Sequence, residues 1–262
     1  MRKKFFAGSI LIWIYFLTGC SSSIENTDSK MGKLAVLANG EDLIAEGFVS
    51  KDGWQLDFNN VYLSLDKITA YQTDPPFNAE TEAKMKVSEQ IVLLNNPKTV
   101  NLTTADRVLI AEVEAPPGKY NALTWQIAPI AGKTILLEGT AQKEDRNINF
   151  SIALNEPVKY ICGEFVGDDR KGFLKAGDKA DLETTFHFDH LFGHAEVAPD
   201  DPMNVNALGF DPLANLAAND TIDLDMATLE KQLSPEAYRR LKEGLTSLGH
   251  VGEGHCAEKG EE

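Results

Sequence analysis

From Gly32 to about His190, apolar and polar residues alternate in short runs, and this period of two constrains the chain more than any other feature. Trp54, Leu56 and Phe58 alternate with polar neighbours, as do Val61, Leu63 and Leu65, and later Leu123, Trp125 and Ile127. Lys33 to Ala38 and Ala45 to Val49 are short apolar runs, and Ile91 to Leu94 stops at the turn signal Asn95-Asn96-Pro97. Val108 to Val113 leads into Pro116-Pro117-Gly118-Lys119-Tyr120, where the Pro-Gly pair suits a type II turn. Thr134 to Glu138 and Asn147 to Leu154 read as the arms of a hairpin around Glu144-Asp145-Arg146. Tyr160-Ile161-Cys162 and Leu182 to Phe188 complete the series. Short strands in this number, with no helices between them, predict a mainly β fold and argue against a parallel α/β sheet. The expected architecture is an antiparallel β-sandwich, of the Ig or transthyretin kind, over residues 32–192.

The pattern changes after Phe192. Residues 193–225 are rich in Asp, Asn, Pro and Ala, with a turn at Gly209-Phe210-Asp211-Pro212. Asp225 is placed to cap a short helix running to Leu233. Ser234-Pro235-Glu236-Ala237 then combines an N-cap serine, a proline at the first helical position and an acid in the first turn. Tyr238, Leu241, Leu245 and Leu248 share one helical face, and Gly249 fits the stop. Residues 193–262 are therefore expected as a loop-rich, helical segment packed on the sandwich.

The N-terminus reads as an export signal. Arg2, Lys3 and Lys4 precede an apolar run from Phe5 to Leu17, shorter than the roughly 20 residues a spanning helix needs. The run ends in Leu17-Thr18-Gly19-Cys20, which resembles the lipobox of bacterial lipoproteins. That resemblance implies a signal peptide over 1–19, a lipid on Cys20 and a polar tether over 20–31. By likeness to Gram-negative lipoproteins, Ser21 after the acylated cysteine implies the outer membrane, with the domain on the periplasmic side of the cell envelope. Loss of 1–19 removes three basic and no acidic groups, so the net charge moves from -15 to -18. So acidic a surface repels nucleic acid, which is excluded as a partner, and attracts cations diffusely. With Cys20 acylated, Cys162 and Cys256 remain. In an oxidising compartment they pair most simply as a disulfide; two free thiols or thiolate ligands are the alternatives.

All five histidines fall in the last third of the chain, three of them in His187-Phe188-Asp189-His190-Leu191-Phe192-Gly193-His194. If 182–188 is a strand, His187 and Asp189 share the face opposite Phe186 and Phe188, and His190 and His194 start the following loop. A strand running into a loop can converge imidazoles and a carboxylate on one point, the usual way of building a zinc or copper site. His250 and His255 flank Cys256 in a glycine-rich tail, and a Cys162–Cys256 bridge would carry that tail to the sheet beside the first cluster, where it could supply a third or fourth ligand. The expected ligand set is His187, Asp189, His190, His194 and His255, with Asp189 either a ligand or an acceptor orienting an imidazole. The alternative is that the histidines are structural.

Enzyme motifs are not met. His187-Phe188-Asp189-His190 is similar to the second half of the HxHxDH signature of metallo-β-lactamase-type hydrolases, but Thr185 stands where the first histidine belongs. HExxH, GxSxG, P-loop and dinucleotide fingerprints do not occur, and Asp220 to Asp225 lacks the central glycine of an EF-hand loop. The order Trp54, Phe58, Val61, Leu63, then Pro117-Gly118-Lys119-Tyr120 before an alternating strand, resembles periplasmic β-sandwich lipoproteins. More distantly it is similar to the copper-binding periplasmic family associated with methanobactin operons. The resemblance implies fold and compartment over roughly 32–160. The resulting expectation is a non-enzymatic, lipid-anchored envelope protein that binds zinc or copper for capture or delivery, with a membrane transporter as possible recipient. A non-catalytic envelope module, or an accessory subunit of a transport complex, is the alternative.

Overall fold

The computed structural model describes residues 31–79, 81–82, 84–104, 106–130, 132–163, 171–251 and 254–258, with only the backbone at 254, 255 and 258. The signal segment 1–19, Cys20 and all but the last residue of the tether lie outside these residues.

The first half of the chain comprises β1 (Gly32–Asn39), α1 (Glu41–Ala45), β2 (Phe48–Val49), β3 (Gln55–Thr73), β4 (Val87–Leu94), β5 (Lys98–Asn101), β6 (Val108–Ala115), β7 (Gly118–Lys119) and β8 (Ala122–Ile127). There follow β9 (Ile135–Lys143), β10 (Arg146–Leu154), β11 (Val158–Gly163), β12 (Phe173–Leu174) and β13 (Lys179–Phe186). The last quarter holds α2 (Asp189–Phe192), α3 (Pro202–Asn206), α4 (Asp211–Ala214), β14 (Thr221–Asp225), α5 (Met226–Gln232), α6 (Pro235–Thr246), β15 (Gly249–Val251) and β16 (Gly254–Glu258). The protein is mainly β, as the alternation predicts.

The spine is β3, long enough at 19 residues to be paired by successive strands on each side. β9 and β8 follow one another along it on one side, and β2, β5 and β4 on the other. Its buried apolar residues are Leu56, then Val61, Leu63 and Leu65, then Ile68 and Ala70. The period of two slips after Phe58 and again after Leu65, and the register shifts at those two places, between Phe58 and Asn60 and between Asp66 and Thr69. Each slip is a bulge that returns the apolar set to the core face.

The hydrogen-bonded path runs β14-β10-β9-β3-β8-β11-β16-β15-β13-β1-β6. Along it the hairpin β15–β16 joins the strands around β3 to the strands around β13. Two pairings correct the antiparallel expectation: β1 with β13, and β10 with β14, are parallel. Both join segments far apart in sequence, and alternation fixes faces without strand order. Two further corrections are local. Ala45 ends a helix instead of opening a strand, and Gly118-Lys119 forms a short strand with Phe173-Leu174 in place of a type II turn. The segment after Phe192 contributes β14, β15 and β16 to the sheet as well as packing on it.

The N-terminal helix signals read as expected, whereas α6 ends at Thr246 with Ser247 as its C-cap, and Gly249, expected as the stop, opens β15. Asp225 accepts from the Thr228 amide at 2.8 Å and the Ser234 hydroxyl from the Ala237 amide at 3.2 Å, capping α5 and α6. α6 buries Leu241 and Leu245, and Gly244 lets it approach α2: a Cβ there would lie 2.8 Å from Leu191 Cδ2 and 2.9 Å from the His190 carbonyl. The Tyr160 hydroxyl donates to the Leu245 carbonyl at 2.6 Å, tying α6 to β11. Cys162 and Cys256 form a disulfide between register partners on β11 and β16.

Candidate metal centre

The site lies where three chain segments end side by side. β13 stops at Phe186, and both Phe186 and Phe188 are fully buried, so the intervening His187 faces the other way, partly exposed. β1 runs parallel to β13, with Asn39 opposite Thr185. Glu41, two residues beyond Asn39, therefore reaches the level of His187, and its Oε2 stands 3.5 Å from His187 Nδ1. Its backbone is left-handed at φ 57°, braced by the Asn39 side chain, which accepts from the Glu41 amide at 2.6 Å. β15 pairs antiparallel on the free side of β13, with Thr185 opposite His250. Residues directly opposite share a face, as do residues two apart on one strand, so His250 and His187 come together. Their ring centroids are 4.1 Å apart.

The chain then tightens into the single turn of α2. The His190 amide donates to the His187 carbonyl at 3.1 Å, which folds the His190 ring back to within 5.7 Å of His187 and 5.0 Å of His250. Asp189 joins from the same turn. Ligand-type atoms of His187, Asp189 and His190 all lie within 4.8 Å of one another. Asp189 Oδ1 is buried and makes no hydrogen bond among the described residues. A buried carboxylate oxygen left without a donor costs about 1–3 kcal/mol, more when charged, and a cation is the direct remedy. Trp125 Nε1 is also buried without an acceptor, but it is a donor packed on the Tyr160 ring and has no ligand-forming group around it.

The structure separates the expected ligands. His187, Asp189 and His190 converge. His194 does not: Gly193, at φ 66°, turns the chain away, and the His194 ring stacks on Phe48 at 5.7 Å with an interplanar angle of 6°. Its Nδ1 accepts from the Glu196 amide at 3.2 Å, and its own amide donates to Asn204 Oδ1 at 2.8 Å. Lys51 holds the same loop by donating to the carbonyls of Asn204 and Ala207. Burial, and then the Arg240 charge, keep its pKa below the ordinary lysine value. His255 sits on β16 opposite His250, its side chain outside the described ones. The sequence marks His250 only as one of two tail histidines beside Cys256 and does not single out Glu41. Neither carries a local signal, since only the pairing of β1 and β15 with β13 brings them in.

Two clefts flank the cluster. One, of about 790 Å³, is lined by Glu41, Asp42, Asp106, Asp189, His194 and Glu196, so its mouth is strongly acidic. The other, of about 820 Å³, lies between α3 and α6 and is reached by His190.

Comparison with known proteins adds no assignment. No family model, no curated protein and no solved structure matches this chain. Among the described residues no helix is long and apolar enough to cross a membrane.

Proposed function

We propose that this protein captures or delivers a transition metal ion, zinc or copper, through His187, Asp189 and His190, and does so as a lipid-anchored component of the cell envelope. The observation that carries the reading is the buried, unbonded Oδ1 of Asp189 beside two imidazoles. Glu41 adds to it. Its Oε2 lies 3.5 Å from Nδ1 of His187, which places a carboxylate where it would orient the imidazole of a metal-bound histidine with Nε2 left for the ion. The acidic cleft raises the local cation concentration, and the imidazoles supply selectivity among cations. The anchor on Cys20, the outer-membrane location and the periplasmic side rest on the N-terminal pattern, and the Cys162–Cys256 bridge agrees with an oxidising compartment. A binding role without catalysis, a membrane transporter as recipient, and a sandwich in which β1 and β6 face β4 belong to the same reading.

Calorimetric titration of the chelator-stripped mature protein with zinc and with copper tests it. The expected result is one site of sub-micromolar affinity that disappears in the His187→Ala, His190→Ala double variant. Weak, multisite binding abolished by salt would mean that the surface charge alone attracts the ions, and the histidines would then be structural.

A further inference from the structure

We infer that His250 is a fourth ligand, so that the centre is a closed, four-coordinate site for a zinc-like divalent ion, with its last ligand held in place by the Cys162–Cys256 disulfide. The inference rests on the metal-binding reading and deepens it.

The geometry comes first. With metal–nitrogen bonds of about 2.0–2.1 Å, the centroid of a bound imidazole stands about 3.2 Å from the ion, and two such rings at a tetrahedral angle have centroids about 5.2 Å apart. The three imidazoles here are separated by 5.7, 5.0 and 4.1 Å, two of them close to that value and the third shorter. His250 adjoins the group whose ligand atoms already lie within 4.8 Å of one another, that of His187, Asp189 and His190, and side-chain torsions that open the His187–His250 pair by about 1 Å and turn the His250 nitrogen inward would complete the set. The hydrogen bonding points the same way. His250 is buried, and its Nε2 faces the Ser247 carbonyl at 3.1 Å. A carbonyl accepts and cannot donate, so Nε2 bears the proton and the lone pair falls on Nδ1. A metal-bound imidazole commonly donates its second N–H to a backbone carbonyl in this way. Thr185 occupies the strand position where an HxHxDH pattern would carry a histidine, and the structure sets the imidazole of His250 directly across from it.

Three nitrogens and one carboxylate oxygen fill a tetrahedron. Catalytic zinc sites use three protein ligands and keep one position for water, whereas closed sites hold the ion. A closed set is suited to storage or transfer. It also lacks the thiolate and thioether donors that favour cuprous ion.

The ligand that closes the set comes from the least independent part of the sheet. β15 is three residues long and is held by β13 on one side and by β16 on the other. β16 is fixed to β11 by the disulfide across the register pair Cys162 and Cys256. The bridge closes a loop of 94 residues in sequence separation, so cleaving it releases the hairpin that carries His250. Reduction by a dithiol, which becomes a cyclic disulfide as both cysteines gain a proton and an electron, is expected to weaken the site.

The experiment is zinc titration, with the visible spectrum of the cobalt-substituted form, on the mature oxidised protein, on the same protein after dithiothreitol, and on His250→Gln and His187→Ala. Oxidised protein should give the intense d–d bands of four-coordinate cobalt. His250→Gln should lose about tenfold or more in zinc affinity and shift those bands to the weak spectrum of higher coordination. Reduction should lower affinity in wild type and leave His250→Gln unchanged. A thermal melt of the metal-free variants establishes that they fold, and the reduction arm gives a second reading on unaltered sequence. If His187→Ala abolishes binding while His250→Gln and reduction change neither affinity nor spectrum, the fourth ligand is wrong and the three-ligand reading stands. If His187→Ala binds as wild type does, both fall.

Discussion

Two polar knots lie against this sheet, and they are bonded differently. In the first, Asp211 accepts from Trp54 Nε1 at 2.7 Å and from Lys143 Nζ at 3.0 Å. Asp52 accepts from the amides of Phe210 and Asp211 at 2.8 and 2.6 Å and from the Ser50 hydroxyl at 2.6 Å. Arg146 and Lys143 stack on the indole of Trp54 at 5.2 and 5.7 Å. In the second, three imidazoles and Asp189 are gathered as closely, yet Asp189 Oδ1 is buried without a donor. A satisfied knot fixes loops to a sheet. A knot that leaves an acceptor open stores a binding preference, because an unmade bond costs more than a made one gains.

The sharpest way to break this contrast is to exchange the consequences of mutation. Trp54→Ala should cost about 3–5 kcal/mol of stability, as for other buried aromatic truncations, read from urea unfolding of the metal-free protein, and leave zinc affinity within about twofold. Asp189→Ala should do the reverse. The metal-free protein should lose no stability and gain up to about 1–3 kcal/mol, since the buried, unbonded Oδ1 is removed, while zinc affinity falls about tenfold or more. A large loss of stability with unchanged affinity in Asp189→Ala would make the second knot structural like the first.

How much of this was legible in the sequence depends on whether the controlling contacts are local. The strand pattern was readable because burial of one face imposes a period of two. The hairpin at Glu144, the caps Asp225 and Ser234, and the pairing of Cys162 with Cys256 were equally plain, each resting on a few neighbouring residues or on elimination. Within the site, His187, Asp189 and His190 were visible because they lie in one strand-to-turn segment. Glu41 was hidden, and His250 was visible only as one of two tail histidines that a bridge could bring in, for they enter through pairings that span 146 and 65 positions in the registers Asn39 with Thr185 and His250 with Thr185. His194 was expected as a ligand because it follows closely in sequence, and one left-handed glycine sends it to Phe48 instead.

A smaller effect separates the knots by pH. Burial alone would raise the Asp211 pKa, but hydrogen bonds from Trp54 and Lys143, with the Lys143 and Arg146 charges, outweigh it and hold the carboxyl below its ordinary 3.8. A folded-state value lower than the unfolded one contributes stability that is present above the unfolded value and lost as pH falls through the folded one. The gap in urea midpoint between wild type and Asp211→Asn should therefore be widest near neutrality and shrink below about pH 4. Because the Asp211 side chain is 50% exposed, water screens the pair and the charge-dependent part amounts to about 1 kcal/mol or less. A gap that stays constant from neutral to acid pH would show that shape and hydrogen bonding, without the carboxylate charge, hold the satisfied knot, and the contrast with the histidine corner would then rest on bonding alone.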